Sequence, residues 1–344
     1  MMKALQRSWY ETSLLSRLLL PLSWLFCSLV FIRRSLYRLN ILRHRQWSTP
    51  VVVVGNIVAG GSGKTPLLMA LCDYLKQQGR RPGVVSRGYG GSVTGVRQVQ
   101  AGDTAAQVGD EPLMIFQRCA VPVVVSADRP AAVDSLLKHN DCDIVLSDDG
   151  LQHYRMGRVF EIAVVDAQRG VGNGYCLPAG PLREPVSRLQ QVSLVVSNGA
   201  AGGKDEEDSE VFYTLEADRL YHLNDSAQQV TFDYFQDKTV HAVAGIGNPA
   251  RFFAQLRSRG LSIIEHAFPD HHAYSRQDFS GWSAECIIMT EKDAVKCRQL
   301  VDAAMYLTDT WVLEAKAVFS PALKQAVDSR LLTLTAAVTT QAGQ

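Results

Sequence analysis

The sequence predicts an α/β protein: two α/β units, the first built on a parallel sheet, behind an N-terminal segment of different character. Three observations carry this. Val51 to Val54 puts four β-branched residues in a row, as in a strand buried on both faces. A glycine-rich turn follows, Gly60-Gly61-Ser62-Gly63-Lys64-Thr65, and opens the helical run Leu67 to Leu75. Beyond it, short apolar runs alternate with helical ones. A length of 344 residues leaves room for about two domains. The expected division is 1–48, 49–200 and 201–344, with the last helix free to pack back on the first unit.

Strand, glycine turn, Gly-Lys-Thr and helix are the parts of a phosphate-binding P-loop. Backbone amides from Val58 and Ala59 through Gly60, Gly61, Ser62 and Gly63 can curl around phosphate oxygens at a helix N-terminus. Lys64 would reach the β and γ phosphates, and the Thr65 hydroxyl suits Mg²⁺. The usual pattern has glycine five positions before Gly63, where this chain has Val58. The run Gly60 to Gly63 supplies the flexibility instead. The bland alternative is a glycine-rich turn with an incidental lysine.

The net charge of +1 hides an asymmetry: residues 1–102 hold 14 Lys/Arg against Glu11 and Asp73, and the remainder holds 21 against 32 acids. A basic front half calls for an anionic partner. Leu18 to Ile32 is apolar, interrupted by Pro21, Ser23 and Ser28, and is followed by Arg33, Arg34, Arg38, Arg43 and Arg45. It is short for a simple span, which wants about 20 apolar residues. It also lacks the cleavage site of a secretory signal. Trp24, Phe26, Phe31, Tyr37 and Trp47 beside arginines suit a helix lying in the membrane interface. Packing of that helix on the domain is the other reading. Nucleic acid is a poor partner, because these arginines interleave with greasy residues. Seven scattered cysteines without a CxxC pair fit a reducing compartment.

In chain order, Gly83 to Ser86 reads as a strand ending in Arg87-Gly88-Tyr89-Gly90-Gly91, where Arg87 either meets phosphate or is a solvated loop cation. Gly109-Asp110-Glu111-Pro112 opens a helix whose acids alone would favour its N-terminus. Val121 to Ser126 is a strand and Ala131 to His139 a helix. The strand from Asp143 ends in Asp148-Asp149-Gly150, the carboxylates a P-loop needs for Mg²⁺. Strands at Glu161 to Asp166 and Val192 to Ser197 flank the Gly/Pro-dense loop Gly172 to Pro185, whose single cation is Arg183. Gly202 to Glu210 is a polar loop. The second half repeats the pattern, with strands at Val240 to Ile246, Leu261 to Phe268, Cys286 to Met289 and Trp311 to Ala315, and a helix Ala250 to Arg259. Asp270-His271-His272 raises zinc, but adjacent residues seldom point at one ion.

Together these motifs resemble the tetraacyldisaccharide 4′-kinase family of bacterial lipid A biosynthesis. The matching segments are Gly55-Asn56 with Gly60 to Pro66, Ser86-Arg87-Gly88-Tyr89, Gly109 to Pro112, Ser147 to His153, Leu177 to Glu184, Gly245 to Pro249, Phe268 to His272 and Thr290 to Ala294. The family's P-loop also lacks the first glycine. One departure is Arg158-Val159, where the family pattern has an acid after the arginine. The resemblance implies two α/β/α domains around a cleft, the first a P-loop parallel sheet, with an N-terminal membrane-associated helix at the cytoplasmic face of the inner membrane. It also implies transfer of the γ-phosphate of Mg²⁺-ATP to the 4′-hydroxyl of an acylated glucosamine disaccharide 1-phosphate, forming lipid IVA.

By the same resemblance Asp110 would be the general base with His271 beside it, on different halves that domain closure could join. Lys64 would stabilise the phosphates, and Thr65 with Asp148 or Asp149 would hold Mg²⁺. Arg87, Gln152 and Arg183 are assigned to substrate or nucleotide. A membrane-associated switch GTPase would instead need Asn-Lys-x-Asp after a late strand. Thr290-Glu291-Lys292-Asp293 occupies that place with the wrong spacing.

Overall fold

The computed structural model describes residues 8–11, 13–200, 210–282, 285–300 and 307–333. The polar loop expected from Gly202 lies almost wholly outside them. Two helices come first, α1 (Leu14–Leu18) and α2 (Leu20–Arg38). The first half then runs β1 (Val51–Gly55), α3 (Lys64–Gln77), β2 (Pro82–Ser86), β3 (Arg97–Gln98), α4 (Ala105–Val108), α5 (Asp110–Cys119), β4 (Val123–Val125), α6 (Arg129–His139), β5 (Ile144–Asp148), β6 (Phe160–Asp166) and β7 (Leu194–Asn198). The second half contributes β8 (Phe212–His222), β9 (Asp225–Val230), β10 (Thr239–Ala244), α7 (Pro249–Ser258), β11 (Ser262–Ala267), β12 (Ile287–Thr290), α8 (Glu291–Cys297), β13 (Thr310–Phe319) and α9 (Pro321–Ala326).

The described strands form one mixed, mostly parallel sheet in the order β11-β10-β12-β13-β8-β7-β6-β1-β5-β2-β4-β3, with β9 paired to β8. β1 shows why the valine run is a strand. Val52 and Val54 point into one apolar cluster with α3, while Val51 and Val53 point into another on the opposite face. Alternate residues of a strand face opposite ways, so a strand covered on both sides has no polar positions to spare. β10 repeats this: Val240, Ala242 and Ala244 join one cluster and Val243 another.

The sequence reading assigned no element between Glu210 and Lys238, yet β8 is the joint of the sheet. It pairs antiparallel with β13 and parallel with β7 through Ser197–Phe212 and Asn198–Tyr213. Its charged positions hide it from a periodicity search. Arg219 is ion-paired with the buried Glu314 of β13, so that charge is neutralised across the ladder. Leu323 of α9, with Val327 and Leu331 beyond it, packs into the cluster that contains Leu67 and Leu71 of α3.

No described helix is long and apolar enough to cross a membrane. α2 touches the body along a narrow stripe: the Ser23 hydroxyl donates to the Cys176 carbonyl at 2.7 Å, and Phe26 and Cys27 pack on the core. Its other faces leave Leu22, Trp24, Leu25, Leu29, Phe31 and Ile32 exposed, Phe31 by 71%.

Candidate active site

The P-loop leaves β1 at its C-terminal end, between β5 and β6 on either side. Consecutive chain segments diverge at that point, which opens a crevice. Val58 lies in a bridge with Leu182 and is buried, so this position is extended and needs no glycine. Ala59 donates its N–H to the Pro181 carbonyl at 2.7 Å, and Arg183 donates to Ile57 at 2.7 Å. The Gly/Pro loop is thus the outer wall of the P-loop. The same loop receives the N-terminal segment, through Ser23 and through the Trp9 indole donating to Pro178 at 3.1 Å.

Within the turn, the Asn56 amide donates to Gly60 at 3.2 Å and to the Ser62 hydroxyl at 3.0 Å. Asn198 and Tyr213, at the β7–β8 joint, donate to the carbonyls of Ser62 (3.1 Å) and Gly63 (2.6 Å), and Arg251 of α7 donates to Asn198 at 2.6 Å. Both halves of the chain therefore brace one loop. Gly63 has φ of +90°, and a Cβ there would lie 2.2 Å from the Tyr213 hydroxyl. Gly63→Ala is expected to weaken nucleotide binding strongly and lower the unfolding midpoint; wild-type values in a nucleotide titration and a thermal melt would refute this clamp.

Lys64 begins α3 and lies 3.7 Å from Asp149, which Arg183 also holds at 2.8 Å. Burial would raise the Asp149 pKa, but Lys64 and Arg183 outweigh it and hold the carboxyl below its usual range. Asp148 is the opposite case: burial first, then the charges of Glu111 and Asp149, push it up to about 7. Asp148 Oδ1 and Asp149 Oδ1 are buried without a hydrogen-bond partner. Carboxylate oxygens without a hydrogen bond fit a hard cation. Among the described residues no group of three or more His, Cys, Asp or Glu could cage a metal, so the remaining positions would fall to phosphate and water.

Asp110, the first residue of α5, is 5% exposed and meets His271 across 161 residues of chain. His271 Nδ1 lies 3.0 Å from both carboxylate oxygens. The pair is already joined in this conformation. Burial alone would raise the Asp110 pKa; the His271 hydrogen bond and the Lys292 charge together pull it below the usual carboxylate range. His271 is raised in turn by its bond to Asp110. His272 faces elsewhere, 3.3 Å from Asp278, whereas Asp270 accepts from the His271 backbone N–H at 3.1 Å and bonds Lys292 at 2.9 Å. Gln152 donates to the Asn56 carbonyl at 3.1 Å, bracing the P-loop entry. Arg87 is exposed and makes no ion pair among the described residues, with its charge near Arg129 and His153.

The sequence profile of LpxK, tetraacyldisaccharide-1-P 4′-kinase, matches residues 15–332. This chain belongs to that family. A tetraacyldisaccharide 4′-kinase of Hahella chejuensis is 44% identical over 332 residues, covering 95% of this chain and 96% of that protein. One from Coxiella burnetii is 46% identical over 308 residues, covering 89% and 90%. An LpxK crystal structure from Aquifex aeolicus, in complex with ATP, superposes with a TM-score of 0.76 at 26% identity, over 95% of this chain and all of that one.

Membership of the kinase family leaves the switch-GTPase reading without support. Lys292 reaches Glu111 and Asp270 at 2.9 Å each, His271 Nε2 at 3.5 Å and Asp110 at 3.9 Å. It stood inside a matched segment, yet a lone lysine after a strand has no periodic signature. Arg129 is 1% exposed and donates to the Asp148 carbonyl at 2.6 Å; burial lowers its pKa to about 10. Asn198, Tyr213 and Arg251 gave no signal at all, because their role exists only where the two halves meet.

Proposed function

We propose that this protein transfers the γ-phosphate of ATP to the 4′-hydroxyl of a tetraacyldisaccharide 1-phosphate, forming lipid IVA, with Asp110 as the base. The observation that supports this best is the buried Asp110–His271 pair standing beside a P-loop. Glu111, next in the chain to Asp110, is close enough to Asp148 to alter its proton affinity, so the two carboxylate groups share one region. Lys64 and the loop amides would offset charge on the phosphates. Asp110 would accept the hydroxyl proton, and the His271 Nδ1–H would aim the carboxylate and keep it ionised. Thr65, Asp148 and Asp149 would hold Mg²⁺, which supplies charge neutralisation at the β- and γ-phosphate oxygens. Arg87 and Arg183 would meet phosphate, and Gln152, with its amide N–H committed to Asn56, would offer its carbonyl to a sugar hydroxyl. A division at about residue 200 would put His271 on one side of a cleft and the other named groups on the opposite side. Transfer of labelled γ-phosphate to a tetraacyl disaccharide 1-phosphate, with Lys64→Ala as control, tests the reading; an unlabelled glycolipid would end it.

The exposed apolar faces of α1 and α2 would place the enzyme on the cytoplasmic face of the inner membrane, peripheral or monotopic, where its acylated substrate resides. The triple variant Leu22→Gln, Leu25→Gln, Leu29→Gln is expected to shift the protein from the membrane to the soluble fraction with its unfolding midpoint unchanged. Retention on the membrane would place the anchor elsewhere. Deleting the helix is a poorer test, since it uncovers the core residues that Phe26 and Cys27 shield.

A further inference from the structure

A cavity of about 540 Å³ lies at the end of β6 opposite the P-loop end of β1. Its wall includes Val159, Phe160 and Glu161, at the amino-terminal start of β6. The P-loop leaves the other end of the neighbouring parallel strand β1, whose residues Val51–Gly55 span roughly 13 Å at about 3.3 Å per residue. Arg34 and Arg38 enter the cavity from α2, four residues apart and so on one helix face, with Tyr37 between them in contact with Tyr154 at 5.9 Å. His44 completes that side.

The charge in this cavity is unbalanced. Glu161 is the one carboxylate among the lining residues, and it is already committed to Arg158 (3.2 Å) and Arg188 (2.6 Å). Arg188 has a second acid in Glu184 at 3.3 Å. Arg34 and Arg38 have no ion-pair partner among the described residues. Val159, where the family pattern has an acid, adds no negative charge. Arg38 alone would be explained by the helix C-terminus it decorates; Arg34, Arg38 and His44 converging on one hollow are not. Beside them stand exposed apolar residues, Phe31 and Ile32 on α2 and Leu39, Ile41 and Leu42 just after it.

We propose that this cavity binds the phosphate headgroup of an anionic glycerophospholipid of the bilayer, distinct from the lipid substrate, with the acyl chains lying along the apolar residues of α2 and its C-terminal extension. A free phosphate would use the cations and leave the apolar rim bare; a lipid uses both. The proposal rests on the membrane reading above, and its test separates the two.

Full-length protein is sedimented with vesicles of phosphatidylcholine alone and with phosphatidylglycerol admixed, at physiological salt. Wild type is expected to bind both, the anionic vesicles at least about tenfold more tightly. Arg34→Gln/Arg38→Gln and the cavity-filling Val159→Trp, which changes no charge, should each lose that increment and keep the binding to phosphatidylcholine. Arg17→Gln/Arg33→Gln removes the same charge outside the cavity and should keep most of the increment. If Val159→Trp keeps it, or Arg17→Gln/Arg33→Gln loses as much as Arg34→Gln/Arg38→Gln, the attraction is diffuse and the site does not exist. Failure of wild type to bind either vesicle overturns the membrane reading itself.

Discussion

Asp110→Asn is expected to lower kcat by about 10²- to 10⁴-fold, the range a general base contributes, with nucleotide affinity near wild type. The substitution keeps the shape of the side chain and removes its ability to take a proton. It also leaves the P-loop untouched, since Asp110 sits at the head of α5 and its hydrogen bonds run to His271 and to the Glu111 amide. A variant with wild-type kcat would remove Asp110 from the mechanism. The pH profile adds a second check. Burial by itself raises the Asp110 pKa, and His271 and Lys292 are what bring it down. Removing either contributor lets burial act, so the Asp110 proton affinity rises. In His271→Ala and in Lys292→Met the acid limb of kcat should therefore move to higher pH. An unmoved limb in both would show that another group governs it.

Lys64→Ala is expected to lower kcat by about 10²- to 10³-fold, the usual loss when a single charge-stabilising donor is removed. Here the effect has two physical parts. One is the absent cation at the phosphates. The other is local: Asp149 loses a charge 3.7 Å away and keeps Arg183, so burial pushes its pKa upward and weakens its claim on a metal ion. The variant should accordingly need more Mg²⁺ for half-maximal residual activity. Unchanged turnover, or an unchanged Mg²⁺ requirement beside reduced turnover, would break the corresponding half of this account.

A chain of contacts runs from α2 to the P-loop. Ser23 holds Cys176, the Gly/Pro loop carries Leu182 to Val58, and Arg183 at its end grips Asp149. A helix on a lipid surface would thus rest against the loop that walls the phosphate site.

Much of this protein is written in its local sequence. Four valines in a row specify a doubly covered strand because both faces must be apolar. Gly-Lys-Thr after a glycine turn specifies a phosphate cradle because backbone amides and a helix N-terminus are local objects. An acidic strand end at Asp148-Asp149 needs only its neighbours to be read. Even Asp110 and His271 were visible as candidates, through the segments they stand in.

What tertiary structure alone decided is whatever depends on two distant stretches meeting. β8 carries Arg219, whose charge is paired only once Glu314 of β13 lies beside it. Asn198, Tyr213 and Arg251 become clamps on the P-loop only when the second half of the chain is docked. Lys292 lies 181 residues from Glu111 along the chain, and its influence on the proposed base is set by that approach. The reason is the same in each case: periodicity and turn chemistry are properties of a few consecutive residues, whereas burial and the electric field at a carboxylate are sums over everything packed around it.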